Sequence, residues 1–207
     1  MACGTCASNS KHLGFRMATR QGMRPEKVRS MAVSIQRCKK CGLNYPDPIP
    51  LPESLEQHYG TPPESYWKDS YFQLDEEYFL DERNTLKSIL GKSNLSGLSA
   101  LDIGAGIGKC MLALEKEGMA VSGFEPSEPF YQRAIDRMNI RPEQLQLTSA
   151  EEANYPDNSF DFITFGAVVE HLYDPKTIIL KSLHWLRPNG LIHIEVPSSK
   201  WFTATLY

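Results

Sequence analysis

One stretch decides the fold of this chain: Leu101-Asp102-Ile103-Gly104-Ala105-Gly106-Ile107-Gly108-Lys109. The apolar residues before the glycines predict a buried strand, and the glycines predict a tight turn. The apolar spacing that follows, from Ile107 to Leu114, predicts the inner face of a helix. A strand, a glycine loop and a helix in this order are typical of a pocket for a cofactor that contains a nucleoside.

The positions of the glycines argue against a dinucleotide cofactor. In the dinucleotide fingerprint the third glycine follows the second by three residues, whereas Gly108 follows Gly106 by two and Lys109 stands at the expected position. Asp102, at the end of the predicted strand, would repel a pyrophosphate held by the loop. The alternative is an ordinary strand-to-helix turn capped by Asp102. A cofactor that carries phosphate is therefore disfavoured.

The acidic residues favour S-adenosylmethionine, which has no phosphate and presents an ammonium and a sulfonium. Glu125 lies at the end of the next predicted strand, where its carboxylate can accept hydrogen bonds from both ribose hydroxyls. We therefore predict that the cofactor contacts Asp102, Gly104, Gly106, Gly108 and Glu125.

With these motifs the chain resembles the class I S-adenosylmethionine-dependent methyltransferases. Residues 149–161, Ser149 to Asp161, are similar to the segment between the third and fourth strands of that family, which usually contacts adenine. The resemblance implies adenine contacts from Ser149, where the family commonly has an aspartate, and from Ala150. Residues 166–172 resemble the segment that lies beside the methyl group in the family, which implies Gly166 as a cofactor contact.

His171 is the predicted catalytic base, because an unperturbed imidazole titrates near neutral pH and this residue follows the fourth predicted strand. The alternative is that His171 fixes the start of a helix. Glu170 is predicted either to contact the cofactor or to stabilise a helix amino terminus.

The predicted fold class is α/β, with a Rossmann-like methyltransferase core of parallel strands flanked by helices and a small amino-terminal zinc module. Phe160–Phe165 is the predicted fourth strand, Ile178, Ile179, Leu183 and Leu186 keep helical spacing, and Leu191–Val196 is the predicted fifth strand. The family core usually has seven strands, so we expect that the last two are missing. Either the natural chain continues beyond Tyr207 or a partner covers the edge of the fifth strand.

Two cysteine pairs, Cys3-x-x-Cys6 and Cys38-x-x-Cys41, predict a tetrahedral zinc site. Four thiolates saturate zinc, so the predicted role of the metal is structural. The alternative is four reduced or disulfide-bonded cysteines. His12 is either a substitute ligand or a surface residue, and Cys110 is predicted to be a small buried hydrophobe.

Charge separates the cysteine-rich segment from the rest. Residues 1–41 contain nine Lys or Arg and one acid, whereas residues 42–207 contain 13 basic and 24 acidic residues. The basic excess has several explanations: an anionic substrate such as a nucleotide-sugar, contact with RNA, docking onto the acidic core, or a solvated face. Residues 37–48 resemble a methyltransferase subgroup with a cysteine-rich segment that includes sugar methyltransferases, which implies a small acceptor such as a sugar.

The predicted organisation has four parts: a zinc module over residues 1–45, a proline-rich connector over 46–63, a helical cover over 64–96 and the cofactor-binding core over 97–207. The cover contains four aromatic residues, Tyr66, Trp67, Tyr71 and Tyr78. They are predicted either to pack in the core or to cover the sulfonium through cation–π contacts.

At 207 residues and a net charge of −3, the chain is long enough for one core and a small module. No apolar run reaches transmembrane length, and we expect a cytoplasmic protein, with a dimer left open. The leading hypothesis is methyl transfer to a small-molecule acceptor. The alternatives are a cofactor-binding or zinc-docking module without catalysis, and an RNA methyltransferase.

Overall fold

The computed structural model describes residues 3–18, 31–48, 62 and 64–197. The chain divides into two compact units, the first of residues 1–62 with 197–207 and the second of residues 63–196. Most of the predicted connector, including Pro50, Pro52 and Pro63, lies outside the described residues, and so do residues 198–207.

The first unit contains an antiparallel sheet of three strands in the order β1-β2-β3, namely β1 (Ser10–Ala18), β2 (Met31–Cys38) and β3 (Asn44–Pro46). Ser10 pairs with Cys38 at one end of the first two strands, and the register shifts between His12 and Gly14. This pairing brings the residues before β1 next to the turn after β2. The two predicted cysteine pairs therefore lie at one end of the sheet.

The second unit is built on a parallel sheet of five strands in the order β6-β5-β4-β7-β8. These strands are β4 (Ser99–Ile103), β5 (Ala120–Glu125), β6 (Leu145–Leu147), β7 (Phe160–Gly166) and β8 (Leu186–Glu195). The order reverses between β4 and β7, and such a switch point places ligand sites at the carboxyl ends of the strands. The predicted α/β fold with a parallel sheet flanked by helices is confirmed.

Four α-helices lie in the described part of this unit: α1 (Leu80–Leu90), α2 (Lys109–Lys116), α3 (Glu128–Met138) and α4 (Pro175–Trp185). Short 3-10 turns cover Glu64–Tyr66, Asp69–Phe72 and Val169–His171. Asp174 caps α4 by accepting the backbone N–H of Thr177 at 3.1 Å. None of the described helices is both long enough and apolar enough to cross a membrane.

The two faces of the sheet bury separate apolar clusters, because side chains alternate along each strand. One cluster joins the sheet to α1, α2 and α3, and its strand residues include Ala100, Val121 and Phe162. The other joins the sheet to α4, and its strand residues include Leu101, Ile163 and Phe165. Asp102 follows Ala100 by two residues, so it lies on the face covered by α1 and α2.

The fifth strand starts earlier than the sequence predicts. β8 begins at Leu186 instead of Leu191, and the register shifts between Leu186, opposite Phe160, and Leu191, opposite Phe162. Residues 187–190 fill this irregular part, where Asn189 adopts a φ of 65°. The Ser159 N–H donates to the Trp185 carbonyl at 2.8 Å, so pairing with the segment before β7 begins where α4 ends.

The predicted helical spacing near residue 180 corresponds to α4, but the apolar residues that suggested it do not all face the core. The buried residues of the helix are Ile178, Ser182 and Trp185, whereas Leu183 is 47% exposed. These three residues follow the i, i+4, i+7 spacing of a single helix face. The small hydroxyl of Ser182 is tolerated there because it donates to the Ile179 carbonyl within the helix.

Candidate functional site

The glycine loop connects β4 to α2 at the carboxyl end of the sheet. Gly104, Gly106 and Gly108 have φ values of 69°, 57° and 80°, which residues other than glycine rarely adopt. The N–H groups of Gly104 and Ala105 both donate to the Phe124 carbonyl, at 2.9 and 3.0 Å. The loop is therefore bound to the end of the neighbouring strand.

Two of these glycines also lack space for a side chain. A Cβ at Gly104 would lie 2.6 Å from Val168 Cγ2, and a Cβ at Gly108 would lie 2.6 Å from Ile140 Cγ1. Val168 belongs to the segment between β7 and His171. The contact with Gly104 therefore joins the loop to the segment that carries the predicted base.

Glu125 fixes the shape of the loop. Its side chain is buried at the end of β5, where one carboxylate oxygen accepts the Gly106 N–H and the other accepts the Ser127 N–H, each at 2.8 Å. Burial raises the pKa of Glu125, and the two hydrogen bonds oppose this rise. Because Gly106 donates to a carboxylate, its N–H is not free for a phosphate. The remaining lone pairs of the carboxylate can accept hydrogen bonds from hydroxyl groups.

Asp102 is the second buried acid of the site. It is 4% exposed, and its Oδ2 has no hydrogen-bond partner among the described residues. Burial, with a smaller contribution from the charge of Glu125, raises the pKa of Asp102 to about 7. An unpaired buried carboxylate is costly, so a cation placed beside Asp102 would be strongly favoured.

The aromatic residues before α1 form a cover that is anchored on α3. The Arg133 guanidinium lies 4.1 Å from the centroid of the Trp67 ring and binds Glu64 at 3.2 Å. Arg137 repeats the arrangement, 4.2 Å from the Phe72 ring and 2.9 Å from Asp69. Each arginine thus combines a cation–π contact with an ion pair.

Tyr71 and Tyr78 bring this cover to the glycine loop. Lys109 Nζ lies 5.2 Å from the centroid of the Tyr71 ring and 5.9 Å from that of Tyr78. Burial is the main cause that raises the pKa of Tyr78 to about 12, and the charge of nearby Asp102 contributes. Burial also raises the pKa of Tyr71, so both tyrosines stay protonated at neutral pH as hydrogen-bonding groups.

Ser149 and Ala150 follow β6 and are buried. The Ser149 hydroxyl accepts the Glu152 N–H at 3.3 Å, and the Thr148 N–H donates to the Glu125 carbonyl at 3.3 Å. The structure therefore places this predicted adenine segment beside the end of β5. A hydroxyl that accepts one hydrogen bond can also donate one.

Gly166 ends β7 and is exposed, and a Cβ there would meet no atom within 4 Å. His171 closes the 3-10 turn that follows, half-buried, with its Nε2 4.0 Å from Glu170 Oε1. The predicted cofactor residues on β4, β5 and β7 thus come together at the carboxyl edge of the sheet. The space beside Gly166 is open, so packing within the protein does not explain why a glycine stands there.

The sequence interpretation missed a polar row across the sheet. Asp102 pairs with Thr164, which pairs with His193, so three adjacent strands present polar residues at one level. Thr164 Oγ1 lies 2.9 Å from His193 Nδ1, and the Phe79 ring packs edge-on against the imidazole at 5.3 Å. The alternation of His193 and Glu195 with the apolar residues Ile192, Ile194 and Val196 was the available signal, but the register that aligns the row depends on strand order.

In the first unit the four predicted metal ligands form a cluster. The sulfur atoms of Cys3, Cys6, Cys38 and Cys41 all lie within 4.8 Å of one another, with Cys3 to Cys41 at 3.8 Å and Cys6 to Cys38 at 3.4 Å. Tetrahedral zinc thiolates with Zn–S bonds of about 2.3 Å have sulfur atoms about 3.8 Å apart. The separations fit such a site.

Backbone N–H groups prepare Cys38 to act as a thiolate. Those of Cys41 and Lys40 both donate to Cys38 Sγ at 3.4 Å. The Cys41 contact is the main cause that lowers the pKa of the Cys38 thiol to about 6. His12 lies outside the cluster, with its ring packed against Phe15 at 5.0 Å.

Comparisons with known proteins agree with the fold of the second unit. Residues 101–194 match the family described as Methyltransferase domain. A Dictyostelium discoideum protein named as a methyltransferase is 30% identical over 152 residues, which cover 71% of this chain and 51% of that protein. The ubiquinone biosynthesis O-methyltransferase of Bradyrhizobium diazoefficiens is 31% identical over 115 residues, covering 54% and 45%. The chain spans about half the length of these curated relatives.

A solved structure shares the architecture as well. A protein from Pyrococcus horikoshii superimposes with a TM-score of 0.51 at 20% identity, covering 68% of each chain. The chain therefore has the Rossmann-like methyltransferase fold. The family match lies within the predicted cofactor-binding core, and the curated relatives are named as methyltransferases.

Asp102→Asn is expected to stabilise the cofactor-free protein more at pH 8 than at pH 5. The folded-state pKa of about 7 lies above the ordinary value of 3.8, so the wild-type protein loses stability as pH rises between these values. Asparagine does not ionise, and the advantage of the variant should grow by about 2–3 kcal/mol over this range. Urea unfolding at both pH values measures it.

The matched control for this test is Asp157→Asn, because Asp157 is exposed in a turn. Its effect on the free energy of unfolding should be the same at pH 5 and pH 8 within about 0.5 kcal/mol. A constant difference between the wild-type protein and Asp102→Asn would show that Asp102 ionises normally in the folded chain.

Proposed function

We propose that this chain binds S-adenosylmethionine at Asp102 and Glu125 and transfers its methyl group to a small-molecule acceptor. The observation that carries the proposal is the hydrogen bonding of the two buried carboxylates. Glu125 occupies the Gly106 N–H that a phosphate would need, and Asp102 keeps a buried oxygen without a partner among the described residues. This site suits a cationic cofactor without phosphate.

Each residue of the site contacts a different part of the cofactor. Glu125 accepts hydrogen bonds from the ribose hydroxyls, and Asp102 attracts the positively charged end. Ser149 and Ala150 lie beside adenine, and Gly104, Gly106, Gly108 and Gly166 let the backbone approach closely. Bound S-adenosylmethionine supplies a methyl group activated by a positively charged sulfur.

His171 takes the proton that the acceptor loses. Its half-buried imidazole follows β7 at the carboxyl edge of the sheet, and its Nε2 lies 4.0 Å from Glu170 Oε1. Alignment of the acceptor supplies much of the rate, since methyl transfer needs the nucleophile in line with the leaving sulfur.

The acceptor is a small molecule, and we favour a sugar or nucleotide-sugar. The ubiquinone biosynthesis relative supports a small-molecule acceptor in general. The cysteine-rich segment supports the sugar, because it resembles that of the subgroup with sugar methyltransferases. Lys11 pairs directly with Arg37 across β1 and β2, and both are exposed together with Lys39 and Lys40. These cations favour an anionic acceptor, and RNA is the alternative that they also suit.

The cysteine cluster binds one zinc ion in a structural role, and residues 1–45 form the zinc module. The sulfur separations and the N–H groups aimed at Cys38 support four thiolate ligands. A closed shell of thiolates leaves no position for water. A cytoplasmic location, where thiols stay reduced, stays a prediction.

Calorimetry with S-adenosylhomocysteine and a labelled-methyl assay test the proposed function together. We expect binding to the wild-type chain, and label transfer to sugars or nucleotide-sugars in an acceptor panel that includes RNA. Binding without transfer to any acceptor would favour a cofactor-binding module. Transfer to RNA, with an affinity that falls steeply as salt increases, would favour the RNA methyltransferase. No binding would contradict the cofactor assignment.

His171→Gln is expected to lower kcat about 100-fold or more while leaving the affinity for S-adenosylhomocysteine within about twofold, because a general base acts on the acceptor. His184→Gln, on the exposed surface of α4, is the control and should retain kcat. The kcat of His171→Gln should also lose the fall toward acidic pH that a histidine base causes. An unchanged kcat would exclude His171 as the base.

Cys38→Ser is expected to lose stoichiometric zinc, since it removes one of four ligands. Metal analysis of the purified protein should find one zinc per wild-type chain and per Cys110→Ser chain, in which the cluster is intact. The Cys38→Ser chain should still bind S-adenosylhomocysteine, because the cofactor residues lie in the other unit. Wild-type protein purified without zinc, and unable to take it up, would contradict the zinc site.

A further inference from the structure

Glu195 is a charged residue of the carboxyl edge that the cofactor assignment does not use. It is the last residue of β8, it is exposed, and it pairs with Gly166 at the end of β7. The backbone joins the two strand ends as well, because the Ala167 N–H donates to the Glu195 carbonyl at 3.1 Å. Among the described residues, no lysine, arginine or histidine forms an ion pair with its carboxylate. The charge of Glu195 is therefore uncompensated within this part of the chain.

The space beside Gly166 is open and borders Glu195. Residues that pair across neighbouring strands share a face of the sheet, so the Glu195 side chain leaves the sheet on the side where a Gly166 side chain would stand. A Cβ at Gly166 would meet no atom within 4 Å. Two residues earlier on each strand, Thr164 and His193 fill the same face, with Oγ1 and Nδ1 2.9 Å apart. The filled polar row therefore gives way to an open space where β7 and β8 end.

Tyr78 connects this space with the acid at the end of β4. Burial is the main cause of the raised pKa of Tyr78, and the charges of Asp102 and Glu195 both add to the rise. The tyrosine is therefore close to a carboxylate on each side of β7. Under the proposed function the methyl group lies beside Gly166, so an acceptor that reaches it also meets the Glu195 carboxylate.

We propose that Glu195 selects an acceptor that carries an amino group, by binding its ammonium beside the open space at Gly166. This inference rests on the proposed methyl transfer, and it narrows the acceptor to an amino sugar, free or linked to a nucleotide. An ammonium has no free electron pair. The methyl group therefore passes from the sulfonium to another atom of the acceptor, whose proton goes to His171.

The carboxylate favours a cation over a neutral or an anionic group. An acceptor that covers Glu195 removes water from the carboxylate, which costs free energy. An ammonium compensates this cost better than a hydroxyl does, because hydrogen bonds between two charged groups are stronger. A carboxylate on the acceptor, as in a uronic acid, would be repelled. Asp102 does not supply this preference, since the positive end of the cofactor occupies it in the proposed complex.

Calorimetry of the whole chain with S-adenosylhomocysteine present tests this preference. The probes are uridine diphosphate sugars with an amino group at C2, C3 or C4, each compared with its hydroxyl counterpart. We expect the wild-type chain to bind at least one amino sugar about tenfold more tightly than its counterpart at neutral pH. Glu195→Gln should bring the two affinities within about twofold by weakening the amino sugar alone. Glu195→Asp should keep part of the preference.

Glu143→Gln is the matched control, because Glu143 is exposed in the turn before β6, and it should keep the wild-type preference. A wild-type chain that binds S-adenosylhomocysteine but prefers no amino sugar, or binds none of these sugars, would overturn the inference. A preference that survives in Glu195→Gln would overturn it too. So would an equal weakening of both sugars in that variant, which a merely structural role predicts. A chain that does not bind S-adenosylhomocysteine would instead contradict the proposed function.

Discussion

The two hydrogen bonds accepted by the buried carboxylate of Glu125 are the constraint on which the site depends. They join the loop after β4, the end of β5 and the start of α3 through one side chain. Burying a carboxylate is costly, and the N–H groups of Gly106 and Ser127 compensate part of that cost. Because the loop is held in this way, its three glycines can keep their left-handed conformations without a ligand.

The aromatic cover depends on the same region. α3 begins three residues after Glu125, and it carries Arg133 and Arg137, which hold the segment before α1 by stacking on its rings. The position of Tyr71 over Lys109 follows from that attachment. Contacts around the end of β5 therefore position the glycine loop, α3 and the aromatic cover relative to one another.

The local parts of this site follow from the sequence, and the long-range parts do not. Apolar spacing predicts β4, α2 and the end of β5, so Asp102 and Glu125 are placed correctly by pattern alone. The spacing of the cysteines likewise predicts a cluster. The row that joins Asp102 to Thr164 and His193 depends on strand order and register, which no local pattern encodes. The early start of β8 is hidden because Pro188 and Gly190 suggest a turn.

The contact between Gly104 and Val168 limits how sequences of this fold can vary. A methyl group at residue 104 would lie 2.6 Å from a methyl group of Val168, so a larger residue there requires a smaller one at 168 as well as a tolerated φ of 69°. The two positions are 64 residues apart but share one volume. A designer who changes the segment before His171 must therefore treat residue 168 as part of the cofactor loop.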